Sequence, residues 1–270
     1  MTAIRRLRAP VLAIVALLAA VALPTAASAS PDRVDGDVPS CPAPEGNARF
    51  VRFIYLEILN RCPDPGGGAY WTGRLDAGLA PSRFAEIVDM SDENLADNNV
   101  AQLYGFLLDR PPTADELVDG VATIRRYRGN ARLTAAILSS KEGYQHLTSD
   151  ASVATPTEQD AAWLEVAYER ILDRPSDPSG RAYYSARFSP GGSTEAERLS
   201  VARDLEFSTD NARSWVLASM TEALGRTPDA AGVAFWMDWL TGRGRWQTFT
   251  MWTSHLSSPE AYRRSQSQPG

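Results

Sequence analysis

The chain has 270 residues, 44% of them hydrophobic, and a formal charge of −6 from 27 basic and 33 acidic side chains. An acidic chain with no lysine or arginine cluster denser than Arg125, Arg126 and Arg128 lacks the positive surface that nucleic acid requires. Two cysteines without CxxC spacing and two distant histidines make a poor zinc set.

Arg5, Arg6 and Arg8 precede an apolar run from Val11 to Leu23, which gives way to small residues ending at Ala27-Ser28-Ala29. This pattern predicts a secretory signal peptide over residues 1–29, cleaved after Ala29. Loss of its three arginines would take the charge to about −9. No later stretch is apolar enough to span a bilayer, so the expected mature chain is exported, secreted or surface-associated, without a membrane span. A Pro-rich arm over 30–47 carries Pro39, Pro42 and Pro44. In an oxidising compartment Cys41 and Cys62 are expected to bridge, tying this arm to the first loop of the folded part with about 3 kcal/mol of stabilisation.

The folded part repeats itself. Tyr55-x-x-x-Leu59-Asn60-Arg61-Cys62-Pro63-Asp64, with Gly67, Tyr70 and Trp71 after it, aligns without a gap on Tyr168, Leu172, Arg174, Asp177, Gly180, Tyr183 and Tyr184. A further copy carries Leu224, Arg226, Asp229, Gly232, Phe235 and Trp236, and a worn one keeps Tyr104, Leu108, Arg110 and Pro111. Such a period is that of a supersecondary unit, and apolar residues at helical spacing ahead of each leucine predict a helix with one core face. The expected fold class is therefore all-α: tandem helix-loop-helix repeats forming two helical lobes after the signal peptide, the lobes either packing into one body or standing apart. The expected divisions are a first repeat pair over 48–147, with its second unit degenerate, a linker over 148–160, a second pair over 161–264 and a tail over 265–270.

Each repeated residue has a structural reading. The arginine after the leucine falls where a helix ends, so it is expected to meet the last carbonyls and to pair with the loop aspartate. Asp64, Asp177 and Asp229 are placed as N-caps, with Pro65 and Pro178 at the first helical position. Gly67, Gly180 and Gly232 are expected where another backbone comes close. Thr113 and Glu116 offer the worn unit a capping box. The phrases Leu138-Ser139-Ser140-Lys141-Glu142 and Leu256-Ser257-Ser258-Pro259-Glu260 predict short helices, each opened by a serine with glutamate three residues on. Adjacent aromatics on a helix point about 100° apart, so one of each aromatic pair is expected to be partly exposed. Trp239, Trp246 and Trp252 are candidate ligand-binding residues, since solvent-facing tryptophans suit a sugar platform, although core positions are the ordinary place for such side chains.

There is no G-x-S-x-G elbow, H-E-x-x-H helix, phosphate loop or dinucleotide fingerprint. No catalytic residue, metal ligand or cofactor is assigned, and His146 and His255 are expected at the surface or at helix caps. Asp92, Glu93 and Asp97 read as a helix start. Laid out as Y-x-x-x-L-x-R-x-P-D-x-x-G-x-x-Y-W with a serine-serine-proline-glutamate ending, the motif resembles bacterial domain-of-unknown-function family 4214, in tandem copies in an exported protein. The resemblance implies helical structure and occurrence in exported or surface-associated proteins, and no known reaction. The expected function is that of a secreted, non-catalytic interaction or scaffold protein of the bacterial cell surface, whose partner is a glycan, a cell-wall polymer or a surface protein. The competing expectation is a cell-wall or polysaccharide hydrolase using paired carboxylates in an inter-repeat groove.

Overall fold

A computed structural model describes residues 41–149, 151, 153, 155–243 and 246–267. The signal-peptide segment 1–29 and most of the arm lie outside the described residues. Among the described residues every regular element is helical. The first unit contains α1 (Asn47–Ile54, running on through a wide π-helical turn at Tyr55–Leu59), α2 (Pro65–Asp76) and α3 (Pro81–Asp89). The second contains α4 (Asp92–Leu95), which passes through a second π-helical turn (Ala96–Val100) into α5 (Ala101–Leu108), then α6 (Ala114–Tyr127), α7 (Ala131–Ser139) and α8 (Lys141–Leu147). The third has α9 (Pro156–Leu172), α10 (Pro178–Ser185) and α11 (Glu195–Glu206). The fourth has α12 (Thr209–Leu224), α13 (Ala230–Asp238, with a π-helical turn at Trp239–Arg243), α14 (Thr248–Leu256) and α15 (Pro259–Ser267). No helix among the described residues is long and apolar enough to cross a membrane.

The unit forms for local reasons. Each first helix stops on a left-handed residue: Asn60 (φ 54°), Asp109 (φ 53°), Asp173 (φ 57°) or Gly225 (φ 70°). Asparagine, aspartate and glycine are the residues that tolerate this region. The second helix then opens on a side-chain cap. Asp64, Asp177 and Asp229 accept from the amides of Gly67, Gly180 and Gly232 at 2.8, 2.9 and 2.8 Å. In the second unit Thr113 and Glu116 close a reciprocal capping box. The capping glycines are small for a reason other than the expected backbone approach. A Cβ on Gly180 would collide with the Tyr168 hydroxyl, one on Gly67 would stand 3.2 Å from the Tyr55 hydroxyl, and one on Gly232 would stand 2.8 Å from Cε of Met220. At Gly180 and Gly232 the obstacle is a side chain of the unit's own first helix, and at Gly67 the capping Asp64 carboxylate, 2.8 Å away, is nearer still.

The end phrases also act differently from expectation. The cap is the second serine: Ser140 Oγ accepts from Gly143 N at 2.9 Å and Ser258 Oγ from Ala261 N at 3.1 Å. Ser91 and Ser208 cap α4 and α12 in the same way, each at 3.2 Å. The acid two residues after the serine is thereby free to leave the helix, and it takes the repeat arginine. Arg61 holds Glu93 (Nη2–Oε2 2.8 Å), Arg110 holds Glu142 (2.7 Å), Arg174 holds Asp210 (3.0 Å) and Arg226 holds Glu260 (3.0 Å). The arginines donate not to the last helical carbonyls but to the carbonyl of the next residue in the loop, from Pro111 O at 2.9 Å to Pro175 O at 3.4 Å. Pairing with the loop acid holds for Arg174–Asp177 (3.4 Å) and Arg226–Asp229 (3.5 Å), while Arg110 takes Glu116 at 2.8 Å.

Packing crosses the boundary between the two pairs. One apolar cluster joins the second and third units through Leu103, Leu107, Ile124 and Leu138 against Trp163, Leu164, Val201 and Leu205. Another joins the first unit to the end of the fourth through Phe50, Ile54 and Phe84 against Trp252, Leu256 and Ala261. A third is internal to the fourth. The two pairs thus form one body with interlocked cores. Its ends meet: Gly46 N donates to Gln266 Oε1 at 2.8 Å, and Tyr262 Oη to Asn47 Oδ1 at 3.0 Å. The segment read as a tail from 265 therefore begins inside α15, with Ser265 buried. The linker is shorter than its sequence suggests, because Thr155 caps α9 and Asp160, buried, accepts from the Tyr144 hydroxyl at 2.8 Å and the Ser193 amide at 2.8 Å. Cys41 and Cys62 form the expected disulfide, Cα–Cα 5.8 Å.

Gly180→Ala is expected to cost about 1–3 kcal/mol, the usual range for forcing a group into filled space, whereas Gly73→Ala, at an open position inside α2, should gain about 0.4–1 kcal/mol. Urea unfolding of the two variants beside the parent checks the opposite signs. Arg110→Ala, which strips two carboxylates of one guanidinium, is expected to cost about 1–2 kcal/mol, more than Arg226→Ala in the same assay.

Candidate functional site

The repeat residues are committed to structure. Tyr55, Leu59, Tyr168 and Leu172 are buried, and Leu224 is half-buried. Arg61, Arg110 and Arg174 each lie over the tyrosine six positions earlier at 5.2, 5.2 and 5.4 Å. Four acids held by the repeat arginines, Glu93, Glu116, Glu142 and Glu260, are kept ionised. The Arg110 guanidinium brings Glu116 down to about 2, and Glu93, Glu142 and Glu260 are lowered by Arg61, Arg110 and Arg226. Acids bound this way are poor general acids or bases near neutral pH.

The tryptophans placed as a candidate platform are not one. Trp252 is buried at 6% exposure in the core shared by the first and fourth units, while Trp239 and Trp246 are half-buried against the Leu240–Met251 cluster. Trp236 is half-buried too, edge-on to the His255 ring at 4.4 Å. Among the described residues the exposed large apolar side chains are Tyr70, Val118, Tyr183 and Phe235, at 53–67% exposure. All four stand five or six residues beyond the cap of a unit's second helix, so each unit shows one. Tyr70, Tyr183 and Phe235 rest edge-on against Trp71, Tyr184 and Trp236 at 4.9, 5.0 and 5.2 Å, which confirms the division of each aromatic pair into one exposed and one half-buried member.

A cleft that sequence reasoning missed lies where the first, second and fourth units meet. It is lined by Asp89 at the end of α3, Asn98, Asn99, Gln102 and Leu103 on the π-turn and α5, Asn130 before α7, Trp215 on α12, and Thr248, Phe249 and Trp252 on α14, around about 40 Å³ of free volume. Asp89, Asn99, Asn130, Thr248 and Trp252 form a buried floor, and Asn98, Gln102 and Trp215 a half-exposed rim. A chain of amides runs beneath it. Asn94 Nδ2 donates to Asp89 O (2.7 Å), Asn99 Nδ2 to Asn94 O (2.7 Å), and Asn130 Nδ2 to Asn99 Oδ1 (3.2 Å). The direction of this chain fixes the Asn130 amide, whose Oδ1 is left buried and without a hydrogen-bond donor, as is Thr248 Oγ1 without a partner. Buried polar atoms in that state are uncommon and mark a place where something polar belongs.

The wide turn explains how two successive asparagines reach this space. An added residue in a helix re-aims the side chains around it, and the run from Asn94 to Arg110 is one residue longer than its counterpart from Asn211 to Arg226. Beside the cleft, Trp246 holds a left-handed backbone (φ 64°), rare for a bulky residue. Its ring meets Phe207 at 5.2 Å, and Arg132 lies over Phe207 and Tyr127 at 5.4 and 4.2 Å. No signal in the repeat pattern points to these residues, because the cleft is built where the units differ.

Residues 44–98 match the model of a family described as a domain of unknown function (DUF4214). The match covers the first unit and the opening of the second unit's first helix, and the left-handed helix end, arginine and acid seen there recur in the other three units. No curated protein and no solved structure matches the chain closely enough to lend it an activity. Among the described residues no three His, Cys, Asp or Glu side chains converge to hold a metal ion.

Two buried titratable groups stand outside the cleft. Contrary to the surface role expected of it, His255 is 3% exposed, with Nδ1 2.6 Å from Ser219 Oγ, and burial lowers it to about 4. Ser219 is fully buried, so this Ser–His contact is a core hydrogen bond and not a nucleophile open to substrate. His146 is exposed. Glu206 is buried against Asn211 Nδ2 at 3.1 Å, and burial raises its carboxyl to about 8. A carboxyl raised in the folded state is neutral there at pH 7, so stability is complete below the unfolded value near 4.5 and is lost as pH climbs through 8. Glu206→Gln, an uncharged isostere, is expected to match the parent at pH 5 and to exceed it at pH 8.5, by at most about 5 kcal/mol at roughly 1.4 kcal/mol per tenfold change in proton affinity. Urea midpoints at the two pH values check this, and equal slopes for both proteins would contradict it.

Proposed function

We propose that this is an exported, non-catalytic interaction or scaffold protein of the bacterial cell surface, engaging a glycan, a cell-wall polymer or a surface protein through the exposed aromatics of its repeated units. The observation that carries the reading is the recurrence of exposure. Tyr70, Val118, Tyr183 and Phe235, one per unit, stay in solvent beside half-buried neighbours, although burying such side chains is normally favourable by about 1.5–3 kcal/mol. An isolated exposed apolar residue needs no explanation. The same exposure of an aromatic at the corresponding place of the first, third and fourth units, with Val118 one position earlier in the second, is the arrangement that supports simultaneous contact with an extended partner, where weak contacts combine.

The aromatics have polar neighbours suited to such a surface. Arg74 Nη1 donates to the Tyr70 hydroxyl at 2.9 Å, and Arg187 lies 5.7 Å from the Tyr183 ring centre. Export rests on the basic and apolar pattern at residues 1–29 and is consistent with the Cys41–Cys62 bridge, which oxidising compartments favour. The hydrolase reading asks for two unpaired carboxylates facing one groove. A single carboxylate, Asp89, lines the cleft, and the acids of the repeat are engaged by arginines. These features weigh for binding over hydrolysis.

Co-sedimentation of the chain from Ser30 onward with isolated bacterial cell walls and with insoluble polysaccharides tests the reading. Saturable binding is expected, and replacing Tyr70, Tyr183 and Phe235 together by alanine should lower the bound fraction at least tenfold while leaving the melting temperature within a few degrees. Sugar release by the parent chain, or retention of full binding by the triple variant, would overturn it.

A further inference from the structure

We infer that the central cleft is a binding site for a single hydroxyl or hydroxymethyl group of a neutral glycan, whose sugar ring lies against Trp215 at the mouth. The inference rests on the interaction reading above and names the ligand class and a site for it apart from the exposed aromatics.

The floor decides the chemistry. Asn130 Oδ1, at 7% residue exposure, is an acceptor lacking a donor, and its orientation is fixed by the amide chain through Asn99 and Asn94. Thr248 Oγ1, at 2% exposure, can donate or accept and does neither. A group that both donates and accepts satisfies the two together, and a hydroxyl is the smallest that does. The free volume of about 40 Å³ has room for a small substituent such as a hydroxyl or hydroxymethyl. A whole ring belongs in pockets of roughly 300 Å³ or larger, so the cleft reads one substituent while the ring remains outside. There the half-exposed indole of Trp215 supplies an apolar face, and Asn98 and Gln102 supply amides at the rim.

The surroundings favour a neutral ligand over a cation. Arg128 reaches Thr250 Oγ1 at 2.8 Å and Glu86 at 2.6 Å, and its carbonyl accepts from Phe249 N at 3.0 Å, so it sits at the joint between the floor segments. Arg132, two residues beyond Asn130, lies between Tyr127 and Phe207 and makes no ion pair among the described residues. The lining itself supplies one carboxylate, Asp89, and otherwise amide, hydroxyl and apolar groups, a set that suits a neutral hydroxyl better than a metal ion, which draws several oxygen ligands.

The test is isothermal titration of the chain from Ser30 onward with soluble tetrasaccharides of glucose, N-acetylglucosamine, mannose and galactose. One at least is expected to bind with a single site per chain. Gln102→Ala and Trp215→Ala, both at the half-exposed rim, should each weaken it tenfold or more with unchanged circular dichroism, while the Tyr70, Tyr183 and Phe235 triple variant should bind the same sugar as the parent does. Binding that neither rim variant alters, or no binding of any of the four at millimolar concentration, overturns the inference and leaves the cleft a water site. If cell walls still co-sediment with the chain in that event, the interaction reading stands without this site. If they do not, both fall.

Discussion

The arrangement depends on the arginine that follows each left-handed helix end. Arg61, Arg110, Arg174 and Arg226 each join three things: the end of a first helix, the carbonyl of the loop that follows, and an acid in the first turn of a helix some thirty residues later. The acid is favoured twice, by the guanidinium and by the positive end of its own helix. Much of each pair is in solvent, so none contributes more than a modest free energy. Their effect is geometric. A planar fork fixes direction as well as distance, and where two units share a helix, as along α4–α5 and along α12, the fork sets the angle at which the next unit leaves.

That angle brings the first unit to the fourth and the second to the third, and the apolar clusters record the result. Phe50 and Ile54 pack with Leu256 and Ala261, and Ile124 and Leu138 with Trp163 and Leu205. A linear repeat array buries only nearest-neighbour faces and leaves its terminal faces to be covered separately. Here the terminal faces cover each other, sealed by Gly46 with Gln266 and by Asn47 with Tyr262. The junction of the first, second and fourth units is where helices approach without repeating one another, and it is where the buried amides lie.

The repeat, the caps and the disulfide were legible in the sequence because each is a local pattern: an aspartate with glycine three residues on, a threonine with glutamate three residues on, two cysteines in an exported chain. The acid partners of the arginines were not. Glu142 and Glu260 also fit a capping box with Ser139 and Ser257, and nothing local says that the next serine would cap instead. The tryptophans misled for a physical reason. Trp252 and Trp246 fall in a Trp-rich unit, but Trp252 fills the core shared with the first unit, and Trp246 packs half-buried against the cluster that holds Met220 and Met251. Nothing in the sequence around His255 marks it as buried, and only the packing of Trp236 and Ser219 against its ring encloses it.

The cleft shows how a repeated scaffold comes to hold one distinct site. Its acid–asparagine pair is itself repeated: Asp89 with Asn94 is matched by Glu206 with Asn211, each asparagine donating to the carbonyl five residues earlier at 2.7 Å. In the first half the chain of amides continues to Asn99 and Asn130, whereas five residues beyond Asn211 stands Val216, fully buried among apolar groups. One extra residue before Arg110, absorbed as the π-turn at Ala96–Val100, separates the two outcomes. It carries Asn98 and Asn99 to the junction, while the ungapped counterpart helix sends Trp215 to the opposite wall of the same space. The common motif holds the helices in place, and the local departure from it supplies the unpaired oxygens at their centre.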